Sequence, residues 1–244
     1  MLLTWHLIVD PAGRPGADNM ALDQALLEEA DGSGRAFLRL YAWDPPCLSF
    51  GRNEPARTRY DREVIERRGL DAVRRPTGGR AVWHDREVTY AVAAPVAAFG
   101  SLRASYLRIH AWLAAALDAL GAAAELAPAG VPVLGGPCFA APVGGEVLVG
   151  GKKVIGSAQV RQGSAFLQHG SILLAGTQEV VTHVRRRPGP PPNATTLTDV
   201  LARPVGFEEV ADAIVGNWDG ASQPAAVPPY RRTVFADPAW TWRR

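Results

Sequence analysis

Arg74 to Tyr90 reads RRPTGGRAVWHDREVTY, and the interpretation of the whole chain turns on this stretch. A short apolar segment (Leu70, Ala72, Val73) leads into it, and an alternating pattern through Val82, His84, Val88, Tyr90 and Val92 leads out. Period-two alternation marks strands, and a glycine pair between two such runs marks a turn, so the local expectation is strand, tight glycine turn, hairpin. Glycine has no Cβ and tolerates positive φ, so Gly78 and Gly79 would let a ligand lie directly on main-chain N–H groups. Arg74, Arg75 and Arg80 flank the opening with positive charge. The combination suits an elongated substrate with an apolar part and an acidic or carbonyl head.

A second informative stretch, Gly135 to Ser171, reads GGPCFAAPVGGEVLVGGKKVIGSAQVRQGSAFLQHGS. Glu146 to Val149, Lys153 to Arg161 and Ala165 to Leu174 are expected as successive strands, turned at Gly150-Gly151 and at Gln162-Gly163-Ser164. Cys138 follows glycines and Pro137, which has no N–H, a setting that can project a thiol from a loop. Neighbours on a strand point to opposite faces, so only one of Lys152 and Lys153 can face a site. Cys47, inside the apolar run Pro46 to Phe50, is read as core.

These two stretches, with ADNMALDQALLEEA at Ala17 to Ala30, resemble the lipoate-protein ligase and octanoyltransferase superfamily, whose cofactor-transferase fold is shared with biotin protein ligases. The similarity is closest to the LipM-type octanoyltransferases. RRPTGGRAVWHDREVTY is similar to the family's glycine-loop motif, GKKVIGSAQVRQGSAFLQHGSILL to its lysine motif, and Pro137-Cys138-Phe139 to the segment that carries its nucleophile. The resemblance runs from about Trp5 to Trp218. It implies a nucleophilic Cys138, and its register selects Lys153 rather than Lys152 as the functional lysine. It also implies a substrate-binding set of Arg75, Thr77, Gly78, Gly79, Arg80, Ala81, His84, Gly156, Ser157, Ala158 and His169. His84 and His169 are expected as hydrogen-bonding residues at the site's edge rather than as bases. Two departures stand out: Ala140 to Gly145 holds no aromatic residue where the family often has several, and nothing after Trp218 matches.

Composition is that of an ordinary soluble chain: 244 residues, 47% hydrophobic, 20% charged, net charge +2. Such a length can bury one substantial core. Charge or proline breaks the longest apolar runs, and MLLTWHLIVD lacks the features of a secretory signal, so a cytoplasmic location without membrane association is the expectation. Two cysteines provide no disulfide framework, in keeping with a reducing compartment. The runs Arg185 to Arg187 and Arg231-Arg232 lack the interleaved aromatics of a base-stacking surface, so no nucleic-acid partner is expected.

In chain order, Leu3 to Val9 is an expected strand. A helix follows, with Asp18 as N-cap and Asp23, Glu28 and Glu29 on a solvated face. Ala36 to Trp43 and Cys47 to Phe50 are strands joined at Pro45-Pro46, and Asp61 to Arg68 a short helix. Leu102, Tyr106, Ile109, Leu113, Ala116, Leu117 and Leu120 mark one face of a long core helix over Ser101 to Leu120. Val180 to Arg186, Thr198 to Ala202 and Phe207 to Trp218 are expected helices. The fold class is therefore α+β, a mixed and largely antiparallel sheet with flanking helices, of the biotin/lipoate protein ligase type. A catalytic domain over residues 1–218 and a poorly ordered tail over 219–244 complete the expectation.

The reaction that the resemblance implies moves an octanoyl group from octanoyl-acyl carrier protein, through a Cys138 thioester, to a lysine of a lipoyl domain or a glycine cleavage H protein. It needs no ATP or metal, and the five histidines form no evident metal motif. Octanoyl coenzyme A and a lipoyl thioester stay open as donors. The alternative is an ATP-dependent lipoate-protein ligase that forms lipoyl-AMP, with Lys153 on the phosphate and acyl carbonyl and Cys138 incidental.

Overall fold

The computed structural model describes residues 3–128, 144–187 and 189–244. Strand β1 (Thr4–Arg14) leads through helix α1 (Gly16–Ser33) to β2 (Ala36–Trp43) and β3 (Cys47–Phe50). Short helices α2 (Ala56–Arg59) and α3 (Arg62–Arg67) precede β4 (Asp71–Arg74), β5 (Val82–His84) and β6 (Glu87–Pro95). The long α4 (Leu102–Ala119) is followed by β7 (Ala124–Leu126), β8 (Val147–Val149), β9 (Lys152–Lys153), β10 (Ile155–Gln162) and β11 (Ala165–Leu173). Then come α5 (Glu179–His183), α6 (Leu197–Leu201), α7 (Phe207–Gly216), β12 (Ala221–Pro224) and α8 (Pro238–Thr241).

The main sheet has the order β10-β11-β6-β2-β1-β12. It is antiparallel from β10 to β2 and parallel from β2 through β1 to β12. Alternation sends Leu38, Leu40, Val88, Tyr90 and Val92 to one face, where Ile109, Leu113 and Leu117 of α4 and Val210 and Ile214 of α7 cover them. The opposite face carries Phe37, Tyr41, Ala91, Ala93 and Leu167 against Met20, Leu22, Leu26 and Leu27 of α1. Each of the larger of these side chains, the Val, Leu, Ile, Met and Phe, contributes about 1.5–3 kcal/mol when fully buried, which is why the sheet needs a helical layer on both faces. The expected mixed, mostly antiparallel α+β architecture is the one observed. None of the helices is long and apolar enough to cross a membrane among the described residues.

Four local expectations are corrected. The glycine pair does not close a hairpin: β4 and β5 lie on opposite sides of β3 in a separate sheet of order β4-β3-β5, so residues 75–81 cross over the end of β3. Gly51 permits that crossing, since a Cβ there would stand 2.1 Å from the Gly79 carbonyl oxygen. Helix α1 starts at Gly16 behind Pro15, which places Asp18 inside the first turn rather than at the cap. Its carboxylate still complements the positive end of the helix. Asp23 is not solvated; it is fully buried, because α1 lies under the sheet and polar partners meet it there.

The fourth correction concerns residues 219–244. The segment adds β12 in parallel beside β1, inserts Phe235 into the α1-face cluster and buries Trp242 against Phe50 and Tyr60. Arg74 ties it down: Nε donates to the carbonyls of Trp240 and Thr241 at 3.1 and 2.9 Å. Isolated aromatic anchors leave no periodic signature, so pattern reading misses them. Trp242→Ala is expected to lower the unfolding free energy by about 3 kcal/mol in urea titrations, the usual cost of emptying a buried tryptophan site.

Candidate active site

A narrow cavity opens on the α1 face of the main sheet. Met20 of α1, Tyr41 and Trp43 of β2, Arg75, Val82 and His84, Thr89 of β6, Gly156 to Ala158 of β10 and His169 to Ser171 of β11 line it. Strand register brings these residues together: Tyr41 faces Thr89, Thr89 faces Ser171, and Ala158 faces His169.

Two buried histidines hold the polar part of the wall. His169 donates from Nδ1 to Asp23 Oδ2 at 2.8 Å, which leaves Nε2 to accept the Thr77 hydroxyl at 2.6 Å. Burial pushes the His169 proton affinity below its usual range, with Asp23 opposing the shift. Asp23 also accepts from Arg39 at 3.0 Å and from the Tyr41 hydroxyl at 2.9 Å. His84 is stacked on Trp43 with ring centroids 3.9 Å apart, bonded to Glu87 Oε1 at 2.8 Å and to Ser49 Oγ at 2.5 Å.

Arg74 and Arg75, at the entry to the glycine loop, point inward. Arg75 donates to the Ser49 carbonyl at 2.9 Å, and to the carbonyls of Gly78 and Arg80 at 3.0 and 2.9 Å. Arg74 is fully buried and donates to the carbonyls of Gly51 and Glu54 at 2.7 and 2.9 Å as well as to the C-terminal segment. The expectation of three arginines offering charge at the opening is thereby corrected for Arg74, which staples backbone. Buried carbonyls need donors, and a guanidinium supplies several in one plane. Gly79, at φ +90°, is exposed at the loop's crest.

Lys153 stands outside the cavity wall. It is buried while Lys152 is exposed, the two on opposite faces as the strand reading expects. Its Nζ donates to Glu146 Oε1 at 2.6 Å. Beside this pair lies His110 of α4, whose Nδ1–H donates to the Gly145 carbonyl at 2.6 Å and whose Nε2 accepts from Ser157 Oγ at 2.8 Å. Burial pushes the His110 proton affinity down to about 4, and the Lys153 charge adds to that effect, so the imidazole is neutral near pH 7. Ser157 also meets the Tyr90 hydroxyl at 2.7 Å. Gly170, opposite Ser157 in the ladder, must lack a side chain, since a Cβ would stand 2.5 Å from Ser157 Oγ.

Of the expected substrate-binding residues, Arg75, His84, Gly156, Ser157, Ala158 and His169 line the cavity. Thr77 sits behind it on His169, and Gly78 and Arg80 offer their carbonyls to Arg75. Ala81 is corrected: alternation turns Val82 and His84 into the cavity and sends Ala81 and Trp83 to the other side, into an apolar cluster with Leu48 and Phe50. Cys138 lies outside the described residues. Cys47 is fully buried in the core, where desolvation raises its thiol pKa well above the usual value. Pattern reading passed over Met20, Tyr41, Trp43, Asp23, Glu87, His110 and Glu146. A signal existed for some of them: Met20 and Asp23 are three apart on one helix face, and His110 lies on the α4 stripe beside Ile109 and Leu113.

This fold is that of the lipoate-protein ligases. A putative lipoate protein ligase from T. acidophilum with bound lipoic acid superposes with a TM-score of 0.78 at 18% identity, each chain covered over its full length. Lipoate-protein ligase A bound with ATP gives a TM-score of 0.74 at 21% identity, covering 93% of this chain and 90% of that one. The model of the lipoyl protein ligase A/B catalytic domain matches residues 15–218, and the chain belongs to that family. Among curated relatives, octanoyltransferase LipM of Moorella thermoacetica is 41% identical over 219 residues, 85% of this chain and 78% of its own. Octanoyltransferase LipM of Kyrpidia tusciae is 40% identical over 232 residues, 86% of this chain and 84% of its own.

The His110 environment sets a pH dependence. Its folded value, about 4, lies below the ordinary 6.5, so between those values the unfolded chain binds the proton more readily. The associated stability is fully present above about pH 6.5 and is lost as pH falls toward 4, on the order of 3 kcal/mol in all. Urea titrations at pH 7, 5.5 and 4 should therefore show a smaller acid loss in His110→Asn than in the parent.

Proposed function

We propose that this chain is a protein N-octanoyltransferase of lipoate assembly that takes its acyl group from octanoyl-acyl carrier protein. The observation that carries the reading is the identity of 41% and 40%, over 85% and 86% of the chain, with proteins named octanoyltransferase LipM. In the proposed route the Cys138 thiolate attacks the carrier thioester carbonyl, the bond to the carrier sulfur breaks, and that sulfur leaves as a thiol after taking up a proton. A lysine amine of a lipoyl domain or glycine cleavage H protein then attacks the enzyme thioester. The new C–N bond forms as the C–S bond breaks, and an amine proton ends on the Cys138 sulfur. Exchange of a thioester for an amide runs downhill, so the route draws on no ATP or metal.

Several features support this chemistry. The cavity is faced by the apolar side chains of Met20, Trp43 and Val82, with a few polar groups among them, the mixture that an acyl chain with a carbonyl head calls for. Burying an eight-carbon tail there contributes about 0.8 kcal/mol per methylene, on the order of 5 kcal/mol, available for positioning. Lys153, held by Glu146, is the group we assign to the developing oxyanion and to the Cys138 thiolate. Arg75, Thr77, Gly78, Gly79, Arg80, His84, Gly156, Ser157, Ala158 and His169 form or brace the acyl site in this reading. We assign the catalytic unit to residues 1–218, with 219–244 strapped onto it, and place the enzyme in the cytoplasm, where its nucleophilic thiol stays reduced.

Intact mass spectrometry after mixing the protein with octanoyl carrier protein, without ATP, should show one added octanoyl group. The adduct is expected to be absent in Cys138→Ala and present in Cys47→Ala. A requirement for ATP and free octanoate or lipoate would replace this reading with that of a ligase.

A further inference from the structure

The catalytic reading leaves the C-terminal segment unused, yet that segment brings arginines to the rim of the glycine loop. Arg243 stacks on Trp240 at 3.7 Å and donates from Nη2 to the Arg52 carbonyl at 2.6 Å. The Arg57 N–H donates to the Arg244 carbonyl at 2.7 Å. The turn that carries Arg52 is itself bonded to the loop, with the Arg52 N–H on the Thr77 carbonyl at 2.7 Å. Arg52, Arg57 and Arg244 are exposed and Arg80 and Arg243 partly so. None of these five belongs to an ion pair among the described residues. Glu54, the acid beneath them, is buried and bonded to Tyr60 at 2.7 Å. Burial, then the charges of Arg52 and Arg244, hold the Arg243 proton affinity below its usual range, a sign of like charges kept together. Such a cluster repels itself in the free protein and is relieved by an acidic surface.

We propose that this arginine rim docks the acyl donor by binding an acidic face of the carrier protein beside its anionic phosphodiester arm. The proposal rests on the octanoyltransferase reading above. Charge decides between the two protein partners. The acceptor advances a lysine ammonium, which an arginine rim repels, whereas the donor advances a phosphodiester, which it attracts. Thr77, whose carbonyl takes the Arg52 N–H, donates its hydroxyl to His169 of the cavity wall, so the rim and the acyl cavity meet on one loop residue.

The test compares KM values for octanoyl carrier protein, octanoyl-coenzyme A and octanoyl-pantetheine in the parent, in the triple variant Arg52→Gln/Arg243→Gln/Arg244→Gln, and in Arg52→Glu as a single change. KM for the carrier-protein donor should rise about tenfold in the triple variant, the combined worth of three exposed ion pairs, and about threefold in Arg52→Glu, while KM for octanoyl-pantetheine stays put in both. Added salt should reproduce the rise in the parent. Equal rises for all donors would mean general damage, and a full rise with octanoyl-coenzyme A would mean phosphate binding alone. Either result, an unchanged carrier-protein KM, or a rise confined to the lipoyl-domain acceptor overturns the proposal. A parent that accepts octanoate from none of the donors instead removes the octanoyltransferase reading itself.

Discussion

The Asp23 carboxylate, wholly out of water, is the point on which the site's geometry rests. Placing a charge there is costly unless every lone pair is engaged, and Asp23 engages Arg39 and Tyr41 of β2 and His169 of β11 at once. Through His169 the same carboxylate reaches Thr77, and so the glycine loop. One side chain of α1 therefore sets the relative position of a helix, two strands and the crossing segment above them. The tautomer of His169 follows from it: a carboxylate can only accept, so Nδ1 carries the hydrogen and Nε2 is left for the threonine.

The loop is held from its other side by arginines that serve as internal scaffolding. Arg74 and Arg75 spend their donors on backbone carbonyls of the 51–54 turn, the 78–80 loop and the C-terminal segment. A loop that crosses a strand end leaves carbonyls without ladder partners, and buried carbonyls must be satisfied. The guanidinium planes do this without regular secondary structure, which frees the glycines to approach one another closely. The cavity lies beside that crossing, with Arg75 of the loop on one side and the small residues Gly156, Ala158 and Gly170 on another.

Strand β10 separates two chemical compartments. On its α1 face lies the cavity; on the α4 face Ser157 joins Tyr90 and His110, and the Lys153–Glu146 pair lies alongside. The alternation of a single strand explains both, since Ala158 pairs with His169 while Ser157 pairs with Gly170. His110 links the compartments' boundary to Gly145, and hence to Glu146 beside it. The Lys153–Glu146 pair and the cavity are in this way referred to the same edge strand, and Ser157, which lines the cavity and bonds His110, is the residue common to both sides.

Much of this was open to inspection in the residue string. Period two placed β2, β6, β10 and β11; period 3.6 placed α4; adjacency put Lys152 and Lys153 on opposite faces, with the family register choosing Lys153; and an apolar run put Cys47 in the core. Those properties are local, governed by which way neighbouring side chains face. What needed the folded chain was every assignment that depends on partners distant in sequence. Asp23 looked like a solvated acid because its His169 partner lies 146 positions away, and Arg74 looked like charge offered at the opening because Thr241 lies 167 positions away. The glycine pair looked like a hairpin turn because nothing nearby in sequence reveals that β3 runs between β4 and β5. Local pattern thus determined the elements and their faces, while burial and satisfaction of charges, set only when remote segments meet, decided which polar residues build the site and which hold it together.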